Sequence, residues 1–171
     1  MDEMAFWALM EAANAEAREQ HADQAEILQK KLQTLPAEEI LAFHQTFTTL
    51  CFNAYRWDLW AAAYIIGGGC GDDSFMDFRA GLIGLGRAAY YDALEDPNSL
   101  ALQPKTGVDF FYEELAYAAP MAYEAVTGKE VMPDHGSRHP REPAGERWVE
   151  ATVAEKYPQL ATKFGWDISN P

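Results

Sequence analysis

A run of glycines followed by acidic residues is the clearest candidate for chemistry in this sequence. Glycines stand at positions 67, 68, 69 and 71, Cys70 lies among them, and Asp72 and Asp73 follow directly. Glycine permits a positive φ and a close backbone approach, and carboxylates beside a tight loop can face an amine, a guanidinium or a metal ion. The loop is therefore a candidate contact for a ligand or a partner.

Residues on both sides of the loop extend this candidate site. Trp57 and Asp58 precede it in an aromatic segment, and Arg79 follows it, where its guanidinium could orient an aspartate. Cys70 is the better nucleophile candidate of the two cysteines, because a helix amino-terminus lowers a thiol pKa, although neighbouring aspartates raise it again. The expected contact residues are Trp57, Asp58, Cys70, Asp72, Asp73 and Arg79.

The same charges also have a purely structural explanation. One aspartate of the loop could cap the following helix, and the other could pair with Arg56 or Arg79. Ser74 followed by Asp77 fits the capping-box pattern just before an apolar run, so the first turn of that helix is expected to be negatively charged. Both explanations stay open at the level of sequence.

The histidines and the glycine pattern give weaker signals. His135 and His139 lie in a proline-rich segment, where a spacing of four does not place both rings on one helix face, and no H-E-x-x-H pattern is present. His44 is expected at the edge of a buried helix face, about 10 Å along that helix from Cys51. The glycine run matches neither a phosphate loop nor a dinucleotide-binding pattern. We therefore expect no metal site and no cofactor.

Apolar residues recur at helical spacing along most of the chain, and alternating strand patterns are essentially absent. Gly81, Gly84 and Gly86 interrupt one helix, which suggests close helix packing, and Pro120 is expected to kink or split another. The predicted helices cover about 2–18, 22–34, 36–54, 57–67, 74–89, 109–127, 146–155 and 158–164.

The fold prediction follows from these segments. We expect an all-α fold, a single-domain compact bundle of about six to eight helices over residues 1–171, with an irregular proline-rich loop near 133–144. Trp148, Phe164 and Trp166 are expected to pin the carboxyl-terminal part to the body of the protein by apolar burial.

The charge balance limits the partners. Thirteen basic and 27 acidic residues give a formal charge of −14, which opposes both nucleic acid and the anionic face of a membrane. A basic protein or a cationic small molecule remains a candidate partner, although an acidic surface can serve solubility alone. Without an apolar run of about 20 residues or a signal-peptide pattern, we expect a cytoplasmic protein with Cys51 and Cys70 as free thiols.

Several motifs of the chain resemble those of one family. These are Ala54-Tyr55, Trp57-Asp58-Leu59-Trp60, the glycine run through Asp73, Phe75, Phe78-Arg79 and Asp96-Pro97. They resemble a bacterial family catalogued as domain of unknown function 4240. Phe6-Trp7 and the closing residues 157–166 are also similar, so the resemblance would span nearly the whole chain. It implies a helical fold organised by the central motif and brings no established activity.

Two functional hypotheses follow. The leading one is a non-enzymatic binding or interaction protein, regulatory or immunity-like, that presents an acidic surface to a partner. The alternative is an enzyme or small-ligand-binding protein with a pocket beside the Gly67–Asp73 loop. A pocket where Asp72, Asp73, Arg79 and a tyrosine converge would favour the alternative, and a flat acidic face would favour the first.

Overall fold

Helices account for most of the polypeptide in the computed structural model, which describes residues 1–104, 107, 109–134 and 136–166. Within these ranges there are nine α-helices, two short 3-10 helices at Pro97–Leu102 and Glu150–Thr152, and no strand beyond one isolated bridge. The all-α prediction is confirmed. The α-helices are α1 (Glu3–Gln20), α2 (Gln24–Leu32), α3 (Ala37–Asn53), α4 (Trp57–Gly67), α5 (Asp72–Gly84), α6 (Arg87–Glu95), α7 (Glu114–Thr127), α8 (Val153–Lys156) and α9 (Pro158–Phe164).

The first three helices form where apolar spacing predicts them. α1 begins behind Asp2, whose carboxylate accepts a hydrogen bond from the Ala5 amide at 2.8 Å and so satisfies a free amide of the first turn. The apolar stripes predicted for α1 and α3 are buried, so both helices face the core as expected. Their buried residues are Phe6, Trp7, Met10, Ala13, Ala17, Ile40, Phe43, Phe47 and Leu50.

The buried side chains of these helices form one hydrophobic core. α2 packs against α1 and α7, α7 also contacts α3, and α4 contacts α9. The closing aromatic residues reach this core as predicted. The Trp166 indole donates a hydrogen bond to the Ile65 carbonyl at 2.8 Å, and Phe164 packs edge-to-face on Phe110.

The helix predicted to run from 74 to 89 is two helices. α5 ends at Gly84 and α6 begins at Arg87, because Gly86 between them has a φ of 99°, which side chains rarely adopt. Gly81 does mark close packing. A Cβ atom at that position would lie 2.4 Å from the Phe110 carbonyl oxygen. The segment before α7 can therefore pass this close to α5 only because residue 81 has no side chain.

The helix predicted over 109–127 begins later, at Glu114. Asp109 instead closes a turn, because its carboxylate accepts a hydrogen bond from the Phe111 amide at 2.9 Å. Pro120 lies inside α7 without splitting it. The apolar side chains on both sides of the proline are buried and hold the helix against its neighbours. These buried residues are Leu115, Ala118, Ala119, Ala122 and Tyr123.

The long connection after α7 is irregular. Described residues between 128 and 149, including those of the predicted proline-rich loop, form no helix, and the segment predicted as helix 146–155 becomes helical only from Glu150. His135 lies outside the described residues. In the part of the chain that the structure covers, no helix has the length and apolarity needed to cross a membrane.

Candidate functional site

Three aromatic rings stack in a column that runs from the surface at the start of α4 into the core. The ring centroids of Trp57 and Trp60 are 5.3 Å apart with planes at 11°, and those of Trp60 and Phe75 are 4.7 Å apart with planes at 15°. A guanidinium lies over each end, Arg147 at 5.1 Å from the Trp57 ring and Arg79 at 5.2 Å from the Phe75 ring. The predicted residues Trp57 and Arg79 therefore lie at opposite ends of one aromatic column.

The start of α4 positions the outer part of this column. Arg56 and Asp58 form a two-bond ion pair, with N–O distances of 3.0 and 2.6 Å, across the first turn of the helix. Trp57 and Trp60 are three residues apart and so lie on one face of α4. The Trp60 indole donates a hydrogen bond to the Cys70 carbonyl at 2.9 Å, which ties the glycine loop to the column.

Arg79 forms the inner end of the column and is only 3% exposed. Its guanidinium donates hydrogen bonds to the Cys51 carbonyl at 3.1 Å and to the Phe75 carbonyl at 3.2 Å, and it lies 4.8 Å from the Tyr55 ring. Cys51 is in the last turn of α3, where backbone carbonyls lack helical partners and the helix dipole favours a cation. Arg79 therefore caps α3 from inside the protein.

The glycine loop has the backbone that its sequence predicts, but α5 begins earlier than the capping box implies. Gly68 and Gly69 have φ values of 66° and 140°. α5 starts at Asp72 behind Gly71, and no side chain caps it, so the prediction of a Ser74–Asp77 capping box is wrong. The negatively charged first turn is confirmed, since Asp72 lies at its start and carboxylates there are stabilised by the helix dipole.

Asp72 and Asp73 are both exposed, and neither forms an ion pair within the described residues. The pairing proposed for them is absent because Arg56 binds Asp58 and Arg79 is directed to backbone carbonyls. The structure therefore does not bring Arg79 together with the two aspartates. The carboxylates contribute instead to the charge of the surface beside the loop.

An open cleft of about 610 Å³ lies at the outer end of the column. Two predicted residues, Trp57 and Cys70, line it. Trp148, which was expected only to anchor the carboxyl-terminal part, also lines the cleft. Arg147 and Glu150 line it too and were not expected there, although the close succession of a cation, an indole and a carboxylate was a usable signal. The described residues that line the cleft are Trp57, Trp60, Tyr64, Cys70, Arg147, Trp148, Val149 and Glu150.

Backbone pairing brings this distant segment to the cleft. The Trp57 amide donates to the Ala144 carbonyl and the Ala144 amide donates to the Tyr55 carbonyl, both at 2.9 Å. His139 packs on the Tyr55 ring with centroids 4.5 Å apart. The Tyr64 hydroxyl donates a hydrogen bond to the Glu150 carboxylate. These contacts hold residues 144–150 along α4, from Trp57 at its start to Tyr64 near its end.

His139 is not among the described residues that line the cleft, and His44 lies on α3. No group of three or more His, Cys, Asp or Glu side chains in the described ranges could hold a metal ion. Because His135 is not among those residues, the expectation that it forms no metal site with His139 stays a prediction.

Both cysteines are free and carry protonated thiols at neutral pH. Burial, with the negative charges of Asp77 and Asp72, raises the pKa of the Cys70 thiol to about 11. Burial raises the pKa of the Cys51 thiol to about 12, against the opposing effect of the Arg79 charge. A nucleophilic cysteine requires a lowered pKa, so neither thiol is prepared for covalent catalysis.

Alkylation should reveal these raised pKa values. Because the thiolate is the reactive form, we expect both cysteines in the folded protein to react with iodoacetamide at pH 8 at least tenfold more slowly than in the unfolded chain. Mass spectrometry of time points, with and without guanidinium chloride, measures both rates. Rapid labelling of Cys70 in the folded protein would contradict this prediction.

Comparison with known proteins identifies the family from the amino-terminal three quarters of the chain. Residues 1–125 match the family described as "Protein of unknown function (DUF4240)", and this match includes α4, the glycine loop and α5 but not residues 144–150 of the cleft. The closing residues 157–166, which had suggested a resemblance over nearly the whole chain, also lie outside the match. No curated protein and no solved structure matches the chain. The chain belongs to the DUF4240 family.

Proposed function

We propose that this protein is a non-enzymatic binding protein that accepts the guanidinium or ammonium group of a basic partner in its aromatic cleft. One observation carries the proposal: the chain's own Arg147 guanidinium lies 5.1 Å from the Trp57 ring at the mouth of the cleft. An indole face attracts cations through its quadrupole, and Trp is the strongest of the aromatic side chains in this respect. The site therefore has the chemistry to hold a cation.

The electrostatics around the cleft support the same ligand class. Glu150 contributes a carboxylate to the lining, and the charges of Asp77 and Asp72 act on Cys70 strongly enough to help raise its pKa. The formal charge of −14 adds a long-range attraction for basic molecules. In this proposal Asp72 and Asp73 attract the partner, Trp57 contacts its cation, and Arg79 only holds the column in place.

A small cationic molecule is the second candidate ligand, because the cleft volume lies within the usual range for small-molecule sites. Both candidates share the same chemistry, and an enzyme acting through Cys70 is less well supported because that thiol is neutral. The regulatory or immunity-like role that we infer for the protein would place this site in contact with a basic protein segment.

We expect a short peptide with one arginine among uncharged residues to bind the protein about tenfold more tightly than the same peptide with citrulline. Citrulline keeps the shape of arginine but lacks its charge. Isothermal titration calorimetry measures both affinities, and methylguanidinium tests the small-molecule candidate. Equal affinity for the arginine and citrulline peptides would overturn the proposal.

Matched variants locate the site. Trp57→Ala should weaken arginine-peptide binding about tenfold, and Glu150→Gln several-fold, whereas Glu38→Gln removes a charge from α3 outside the cleft and should have little effect. Arg147→Ala should strengthen binding, because it frees the Trp57 face for the ligand. Unchanged affinity in Trp57→Ala would show that any binding occurs elsewhere.

A further inference from the structure

A second open groove lies between α2 and α7, and none of the described residues that line it also lines the aromatic cleft. Its volume is about 610 Å³. Ala25 from α2 and Ala118 from α7 are buried at its base, where small side chains leave space between the two helices. The groove is therefore an independent surface feature built on two packed helices.

Two large apolar side chains stand on the α7 side of this groove. Tyr117 is 49% exposed and Met121 is 51% exposed, although α7 buries a separate apolar face in the core. The two residues are four positions apart, so they lie one above the other on the same side of the helix. Methionine adapts its shape easily and is common on surfaces that bind partner helices. These side chains give the groove an apolar wall that the fold itself does not use.

Charged side chains line the groove beside this apolar wall, and among the described lining residues the carboxylates of Asp23, Glu26 and Glu114 outnumber the ammonium group of Lys30. Glu114 lines the groove, and the Glu113 carboxylate accepts a hydrogen bond from the Tyr117 hydroxyl at 2.5 Å. That bond and the charges of Glu113, Asp77 and Glu114 raise the pKa of Tyr117. Burial and then the charges of Glu113, Asp73, Glu114 and Asp109 raise the pKa of Asp77. Negative charges from α5 and α7 therefore crowd one end of the groove.

We propose that the α2–α7 groove docks a basic amphipathic helix of a partner protein. Apolar side chains of such a helix would pack on Tyr117 and Met121, and its lysines and arginines would face Glu26 and Glu114. The surface charge favours a basic helix over a second copy of the chain as the occupant of the groove. A second copy carries the same formal charge of −14 and would be repelled. This inference does not depend on ligand binding in the aromatic cleft.

The probe is a synthetic amphipathic helix of lysine and leucine, with leucines at helical spacing on one face. Three peptides are compared by fluorescence anisotropy at physiological salt: this probe, a scrambled peptide of equal charge without an apolar face, and a peptide with glutamate replacing lysine. The wild-type protein should bind the probe at least tenfold more tightly than either comparison peptide. If the scrambled peptide binds as tightly as the probe, charge alone accounts for the interaction and the proposal is overturned.

Surface variants of α7 then test the location. The double variant Tyr117→Ser with Met121→Ser should lose at least tenfold in probe affinity, whereas Val126→Ser, also exposed on α7 but outside the groove, should change it less than twofold. Glu38→Gln, which removes one exposed charge from α3 outside the groove, should also change probe affinity less than twofold. Circular dichroism confirms that each variant is folded. The proposal is overturned by equal affinity in the double variant, or by a wild-type dimer that the double variant abolishes.

Discussion

Replacing Arg79 with alanine is expected to lower the free energy of unfolding by about 3 kcal/mol. The substitution leaves the Cys51 carbonyl without its donor at the end of α3, removes the cation that contacts the Tyr55 and Phe75 rings, and opens a cavity in the core. A hydrogen bond from a charged group contributes about 1.5–3 kcal/mol, and the cavity adds to that loss. Chemical denaturation followed by circular dichroism measures the difference.

Arg147→Ala is the matched control, because Arg147 contacts the other end of the same aromatic column from an exposed position. Its loss should change the free energy of unfolding by less than about 0.5 kcal/mol. Arg79→Lys should be intermediate, since lysine retains the charge but not the planar fork that reaches two carbonyls. An Arg79→Ala protein with wild-type stability but no affinity for arginine peptides would instead assign Arg79 to partner binding.

Local sequence patterns predicted the helices whose stability depends on their own apolar faces. The five buried residues of α1 follow directly from their spacing, as do those of α3. The errors in helix bounds occur where a local backbone turn overrides the apolar periodicity. Periodicity continues through residue 86, yet the positive φ of Gly86 ends the helix, and α7 begins late because Asp109 closes a turn.

The candidate site could be predicted only in part, because segments far apart in sequence meet there. Trp57 precedes the glycine run and Cys70 lies within it, so both were found, whereas Arg147 and Glu150 reach the cleft through backbone pairing between Tyr55, Trp57 and Ala144. No local pattern encodes that pairing. Arg79 was expected to orient or pair with an aspartate of the loop. The structure instead buries it and directs its guanidinium to the carbonyls of Cys51 and Phe75, a placement that is uncommon for arginine and that no local pattern indicates.

Gly81→Ala is expected to destabilise the protein by about 2 kcal/mol. The new Cβ atom would lie 2.4 Å from the oxygen and 2.7 Å from the carbon of the Phe110 carbonyl, distances at which the two backbone segments must separate. Overpacking of this kind costs about 1–3 kcal/mol or more, while alanine recovers at most about 1 kcal/mol through its higher helix propensity. Urea denaturation should show a lower midpoint with an unchanged slope.

Alanine substitutions at two other glycines distinguish the effect of backbone overlap from a general effect of adding a methyl group. At Gly84 the methyl would meet the end of the Leu115 side chain, which can rotate away, so Gly84→Ala should cost less than Gly81→Ala. At Gly71 it would meet no atom of a described residue within 4 Å, and the loss of a preferred N-cap roughly offsets the reduced entropy of the unfolded chain. Equal stability of the Gly81→Ala and Gly71→Ala proteins would mean that the segment before α7 can move away from α5 freely. In that case Phe110 would not fix the position of α7, and the groove between α2 and α7 would not be rigid enough to select a partner helix by shape.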